Sequence, residues 1–418
     1  MKTMRDAMLA FGVLVSTVAA GCAGNSAATG DANPSSIDAE RPGDGAPRPD
    51  AKVGGDPDGG VVSKGCLEPH ADHVAASTLP PKKLDPKHVP QFVMFGFDDD
   101  AYAEGMNWVV NELFAGRKNA DGSPALVTFF IIGGAASDDG IFNDFGGQTE
   151  QDLVASWKNA FDHGHEIGNH TWDHVASMDG KTKDLAGWKD EVDRSHKKLK
   201  ESLGLDDCQL AGFRFPRLEF DENGYQAIDQ AGYAYDTSME FGYDYWTPPP
   251  GEVDLPAGVG IGGGTEKSSE HFWWPFTLDD ALPASYGLYK YDVGLHPGLW
   301  VFPDHVFVKI DGDMASNTTG FDYNLWLKGA NDASLDFCSV LKQTFDQHYN
   351  HNRAPMNVGV HSDIYSKFND DASSSFHNTY QDRRKALQCF VDYVLSKPDT
   401  RVVRFKDVIR WLRDPKAL

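Results

Sequence analysis

Short apolar runs alternate with helix-like segments along most of this chain, and several of the runs end on acidic, basic or imidazole side chains. The clearest is Gln91-Phe-Val-Met-Phe-Gly-Phe97, which leads straight into Asp98-Asp99-Asp100. Runs of this kind read as buried β-strands. Others cover Ala125–Ile132, His165–Gly168, Leu210–Phe215, Tyr233–Tyr235, Val306–Ile310, Met356–Val360 and Arg401–Phe405. Helix-like segments lie between several of them: Met106–Phe114, Gln151–His163, Leu185–Leu203, Gly224–Ala231, Ser334–Tyr349 and Arg383–Leu395. Within Gln151–His163, apolar side chains at 153, 154, 157, 160 and 161 follow the helical period. Strand–helix alternation predicts an α/β fold with a parallel sheet, open or closed into a barrel. In both forms, sites gather at the carboxyl ends of the strands. Asp98, Asp99, His170, Arg214, Asp236 and His361 all lie at or just beyond the ends of apolar runs, so they are expected to converge.

The residue types at these ends suit hydrolysis. His170-Thr-Trp-Asp-His174 places two imidazoles four apart. A helical metalloprotease motif would need Glu after the first His, and Thr171 stands there. A strand-to-turn setting after His165-Glu-Ile-Gly168 fits better. Two neutral imidazoles and one carboxylate, taken as Asp99, make a three-ligand set that leaves a divalent metal one open position. Asp98 is then free to act as general base, with Arg214 as the cation that keeps it ionised. His361 is the candidate acid for a leaving group. Asp236, in Tyr235-Asp-Thr237, is the candidate partner that holds that imidazole charged; a duller role for it is a helix N-cap.

The 418 residues carry a formal charge of −24, which argues against nucleic acid and anionic membrane as partners. Residues 1–22 read as an export signal, with Lys2 and Arg5 before an apolar Met8–Ala20 core too short to span a bilayer. Ala19-Ala20-Gly21-Cys22 is similar to a bacterial lipoprotein signal, in which Cys22 would carry the lipid and be the one membrane contact; secretion with cleavage near Ala20 is the alternative. Residues 23–64, rich in Gly, Pro, Ala, Ser and Asp, read as a disordered tether. Residues 66–418 read as one globular domain. Setting Cys22 aside, four cysteines remain, an even number that suggests two disulfides in an exported chain. Of three possible connectivities, Cys338–Cys389 with Cys66–Cys208 is favoured, because Cys338 and Cys389 lie in helix-like stretches flanking the strand that ends at His361. The stretch 240–330 fits the alternation poorly. It carries Pro248-Pro-Pro250, a Gly-rich loop at 260–264 and many aromatics, among them Tyr243, Tyr245, Trp246, Trp273, Trp274 and Trp300. It reads as a long insertion that walls a cleft, with rings suited to stacking on sugars or to packing.

The pattern resembles the polysaccharide deacetylases with a NodB-type domain, most closely the chitin deacetylase branch of animals. Phe97-Asp98-Asp99, His170-Thr171-x-x-His174, Arg214-Phe-Pro216 and Val358-x-Val-His361 match the family's motifs. Tyr235-Asp-Thr-Ser-Met239, Trp274-Pro-Phe-Thr-Leu278 and Pro297-Gly-Leu-Trp300 look like that branch. The resemblance implies a distorted (β/α)7-type barrel and a divalent ion, zinc foremost. It implies hydrolysis of N-acetyl groups on N-acetylglucosamine polysaccharide, with Asp98 as base, Asp99, His170 and His174 on the metal, and His361 as acid. Arg214 and Asp236 would support base and acid, and the backbone N–H of Arg217 would join the metal at the oxyanion. Gly96, Asp100, Arg217 and the Val358/Val360 pair depart from the usual residues. An O-acetyl esterase on decorated polysaccharide and a glycan-binding protein without turnover are the competing readings.

Overall fold

The computed structural model describes residues 66–418 apart from 137–147, 175–182, 242–271, 281–292, 312–313, 319, 332–335, 371–375 and 377. The proposed export signal, the tether and part of the aromatic stretch, including Tyr243, Tyr245 and Trp246, lie outside the described residues.

The fold is mixed α/β around a largely parallel sheet. In chain order the elements that build it are β1 (Gln91–Asp99), α1 (Ala103–Trp108), β2 (Thr128–Ile131), α2 (Glu150–Asp162), β3 (Glu166–Asn169), α3 (Leu185–Leu203), β4 (Gly212–Phe213), α4 (Glu222–Gln230), β5 (Tyr235–Asp236), β6 (Glu240–Phe241), β7 (Phe276–Leu278), β8 (His296–Val301) and β9 (Asp304–His305). There follow a hairpin of β10 (Phe307–Asp311) and β11 (Met314–Thr318), then α5 (Asp322–Asn331), α6 (Phe337–Asn350), β12 (Met356–His361), α7 (Tyr380–Leu395), β13 (Thr400–Val402) and α8 (Phe405–Arg413). The helices end where their sequences dictate. Thr149 and Asp152 form a reciprocal cap on α2, and Gly204, at φ 66, stops α3 in the left-handed region.

The sheet runs β12-β1-β2-β3-β4-β5-β8-β7, parallel throughout until β7 turns antiparallel on β8, with β13 also on β1. Among the described residues this ladder does not close. Two backbone bonds bridge the interval between β5 and β12: Asp304 N–H donates to Met239 O and Gly359 N–H to Gly320 O. Part of the stretch expected to be insertion, β7 and β8, is therefore sheet. Its described aromatics Phe272, Trp273, Trp274, Phe276 and Trp300 are buried packing rather than an exposed wall. Aromatic rings in a chain this large have core to fill first.

Inward-facing glycines shape the sheet's concave side. A Cβ on Gly96 would sit 2.6 Å from the Arg214 guanidinium, on Gly168 2.5 Å from the Phe130 ring, on Gly212 2.1 Å from the Tyr235 ring and hydroxyl, and on Gly359 2.6 Å from Phe321. Large side chains thus fill the places the glycines leave: Phe130 and Tyr235 from neighbouring strands, Arg214 from beyond β4 and Phe321 from just before α5. Both expected disulfides are present: Cys66 joins Cys208, and Cys338 on α6 joins Cys389 on α7. Among the described residues no helix is long and apolar enough to cross a membrane.

Candidate metal and acid–base site

Strand register brings the distant residues together. Asp98 on β1 is directly opposite His361 on β12, and Asp99 opposite Ile131 on β2. His170 follows β3 and donates its backbone N–H to Ile131 O; Arg214 follows β4 and donates to Asn169 O. All of these sit at one carboxyl-end level, as the alternation predicts.

Asp99, His170 and His174 each offer a ligand atom, and these atoms lie within 4.8 Å of one another. His174 Nε2 is 3.1 Å and His170 Nε2 3.5 Å from Asp99 Oδ1. Ligand bonds of about 2.0–2.1 Å in a tetrahedron put neighbouring donors about 3.4 Å apart, so these spacings fit one small divalent ion. His170 Nδ1 pairs with Arg214 O at 2.8 Å, which turns Nε2 toward the site. Burial lowers the His174 pKa, against the pull of Asp99, and favours the neutral imidazole that ligation needs. Burial works to raise Asp99, but His174, His170 and His361 outweigh it and hold this carboxyl well below the usual range. The turn that carries His174 is itself pinned: Glu191, paired with Lys183, accepts the N–H groups of Trp172 and Asp173, and Asn169 accepts that of Thr171. The residues present fit a divalent metal.

Asp98, 3% exposed, accepts from Arg214 Nη1 at 2.6 Å. Arg214 is wholly buried. Its other donors go to Thr237 Oγ1 at 2.6 Å, Gly96 O at 3.2 Å and Asn357 Oδ1 at 3.0 Å, and Phe130 lies 4.5 Å under its guanidinium. The expected Asp98–Arg214 ion pair is formed, and Gly96 is what lets the cation cross β1. Gly96→Thr is accordingly expected to push the guanidinium off Asp98, costing about 1–3 kcal/mol of stability and at least tenfold in activity, whereas a substitution at exposed Glu201 changes neither. Thermal melts and rate measurements on the two variants check this.

Asp236 does not reach His361, which corrects the sequence reading. Side chains alternate along a strand: Tyr235 and Thr237 face the glycine-lined side, and Asp236 faces α4. There its carboxylate accepts from Tyr225 Oη at 2.7 Å, Ser238 N at 2.8 Å and Ser238 Oγ at 2.7 Å. Burial raises its pKa, against those bonds. The partner of His361 is Asp322, the first residue of α5. Asp322 Oδ1 is 2.7 Å from His361 Nδ1, and Oδ2 accepts the His361 backbone N–H at 3.1 Å. Burial pulls His361 down, but Asp322, with Asp99 and Asp98 beyond it, lifts it to about 10, so the imidazolium is the resting form. Phe321 and Tyr323, on either side of Asp322, pack their rings 5.7 and 6.3 Å from the His361 ring. Arg217 is exposed, at φ 56 in a short turn after Pro216, and its charge reaches His174 and Tyr323.

Asp100, the third acid of the run, is fully buried. Ser362 Oγ donates to its Oδ1 at 2.7 Å. Burial and neighbouring Asp363 push its carboxyl well above the usual range, against the Ser362 bond. Asp99 and Asp100 both adopt left-handed backbone, φ 68 and 53, a strain of about 1–3 kcal/mol each.

Residues 93–235 match the family model described as polysaccharide deacetylase. The match supports a polysaccharide deacetylase domain; it takes in Asp98 to Arg217 and ends before Asp236, Asp322 and His361. No curated protein sequence matches the chain. Solved structures with similar folds include a Mycobacterium smegmatis protein assigned as a polysaccharide deacetylase: 14% identity, TM-score 0.45, 80% of this chain and 95% of that one. An allantoinase aligns at 16% identity and TM-score 0.47, over 80% and 94% of the two chains. A family 4 acetyl xylan esterase from Clostridium thermocellum, in complex with a cobalt ion, aligns at 18% identity and TM-score 0.27, over 38% of this chain and 62% of its own, which is under two thirds of its length.

Proposed function

We propose that this chain is an exported, metal-dependent hydrolase that removes N-acetyl groups from chitin-like N-acetylglucosamine polysaccharide, releasing acetate. The observation that carries the reading is the in-register pair Asp98 and His361 beside a three-ligand set, each with its own buried partner of opposite charge. Asp99, His170 and His174 would hold the ion, zinc foremost, which when bound supplies Lewis-acid polarisation of the acetyl carbonyl. Asp98, held in place by Arg214, takes a proton from the attacking water. His361, kept protonated by Asp322, gives its proton to the departing sugar nitrogen as the C–N bond breaks. One C–N bond is exchanged for one C–O bond, and the products are acetate and a free amine. The aligned motifs of the animal chitin deacetylase branch, and the short amino-terminal apolar segment ending at Cys22, are what favour the polymer substrate and export.

The test is acetate release from N-acetylglucosamine oligomers, with and without a chelator, alongside Asp98→Asn. Release that stops on chelation, returns with added zinc and is lost in Asp98→Asn is the expected result. Release untouched by chelation sinks the metal assignment. Release from acetylated xylan alone replaces the reading with an O-acetyl esterase, and oligomer binding without release from any acetylated glycan replaces it with a glycan-binding protein.

A further inference from the structure

We propose that Asp100 is a positioning residue: through Ser362 it ties the strand end carrying base and metal ligand to the strand end carrying the acid. Asp99 sits at the centre of a three-residue turn closed by Asp100 N–H on Asp98 O at 2.8 Å, and both Asp99 and Asp100 are left-handed. Such a turn is rare and strained, and it persists only where its surroundings hold it. Beside the ladder bond from Ile132 N–H to Asp99 O at 3.2 Å, what holds it is Asp100. Its backbone O accepts from Trp157 Nε1 at 3.2 Å on α2, and its Oδ1 accepts from Ser362 Oγ at 2.7 Å. Ser362 directly follows His361. The next residue, Asp363, reaches back in turn and accepts the N–H groups of Ala101 at 3.2 Å and Tyr102 at 2.9 Å. The two strand ends are thus laced in both directions, 98–102 to 361–363, immediately beneath the atoms that move the protons. Ser362 backbone O also packs where a Cβ on Gly105 would lie, 2.2 Å away, so the 362 segment has no room to drift toward α1.

The strut fixes two things. It helps set where the Asp99 carboxylate points, because Asp99 sits at φ 68 inside the turn that the strut braces. It also braces the spacing that the β1–β12 ladder gives Asp98 and His361, because the bond joins the residue two beyond the first to the residue one beyond the second. The metal part of this inference rests on the deacetylase reading; the strut itself does not.

The test uses the full exported chain and three variants: Asp100→Asn, which keeps an acceptor for Ser362, Asp100→Ala and Ser362→Ala. In metal-free protein, hydrogen exchange of the 97–102 segment is expected to rise about tenfold in both alanine variants and to stay near wild type in Asp100→Asn. Affinity for Co²⁺ is expected to fall about tenfold or more in the alanine variants, the usual range for groups supporting a ligand. Their kcat is expected to fall with KM little changed, and Asp100→Asn is expected to restore both. Ser362→Ala guards against misfolding of the Asp100→Ala chain, since it deletes the same bond from the other side. Wild-type exchange and Co²⁺ affinity in both alanine variants would overturn the strut. So would Asp100→Asn impaired as severely as Asp100→Ala, because the acceptor, not the acid, is what the strut requires. Exchange decides the point even if wild type releases no acetate, a result that would count against the deacetylase reading alone.

Discussion

Replacing Arg214 with methionine is expected to cost about 3–5 kcal/mol of stability, the usual penalty for removing one partner of a buried ion pair. In a domain of this size that is about a 4–7 °C fall in melting temperature. Methionine fills much of the space, so the loss is not mainly a cavity. What remains is Asp98, buried with no cation, and Asn357 and Thr237 without the donors they accept from. Activity is expected to fall at least about a hundredfold, since the placed base alone contributes on that order. Arg214→Lys separates the two effects. An ammonium can sit near Asp98 but cannot donate at once to Asp98, Gly96 O, Asn357 and Thr237, because those four directions need the planar fork. The lysine variant should therefore recover part of the melting temperature and little of the rate. Calorimetry and acetate release on both variants check this, and a lysine variant as active as wild type would show that charge alone suffices.

Arg214 also shows why some of this site is legible in sequence. It sits in Gly212-Phe-Arg-Phe-Pro216, a setting too apolar for a surface ion pair, and it lies at the end of a run. Asp98, Asp99, His170 and His361 share that placement. Parallel sheets put strand ends on one rim, so the ends alone imply proximity. Helix α3 was readable to the residue because Asp184 caps it and Gly204 ends it. The failures have equally local causes. Asp236 is at a strand end but on the wrong side of it, and a two-residue strand is too short for alternation to be read. Strand β8 begins His296-Pro297-Gly298, which breaks the apolar pattern that marks the others. Helix α8 carries Lys406, Asp407, Arg410 and Arg413 among its apolar positions, and its start reads as the end of the preceding strand. Asp322 follows Gly320-Phe321 after the β10–β11 hairpin and looks like an ordinary helix start. Asp100 reads as a loop acid until Ser362 is seen beside it, and only tertiary structure brings those two together.

The acid half of the site gives the second large effect, in Asp322→Asn. His361 keeps its proton to about 10 in the folded chain, chiefly because Asp322 opposes the desolvation that would otherwise lower it. Asp98 and Asp99 also raise it, but a divalent ion at Asp99 would offset much of their field, so Asp322 is the contribution that persists in the loaded enzyme. Asparagine keeps an oxygen for the ring and removes the charge. The imidazole should then lose its proton at much lower pH, where burial and the ordinary value of 6.5 place it. The donor form is the protonated one, so the alkaline limb of the rate profile is expected to move down by at least one pH unit. Near pH 8 the rate should fall by about a hundredfold, the scale of a lost general acid, and it should partly recover toward pH 6. Stability moves by the same linkage. Between 6.5 and about 10 the folded chain binds a proton at His361 that the unfolded chain has released, so this group's contribution is complete below 6.5 and is lost as pH rises through 10. Melting temperature measured from pH 6 to 10 should therefore fall less steeply in Asp322→Asn than in wild type, from a lower starting point. A variant whose alkaline limb does not move would mean that His361 is not the proton donor, whatever its distance from Asp322.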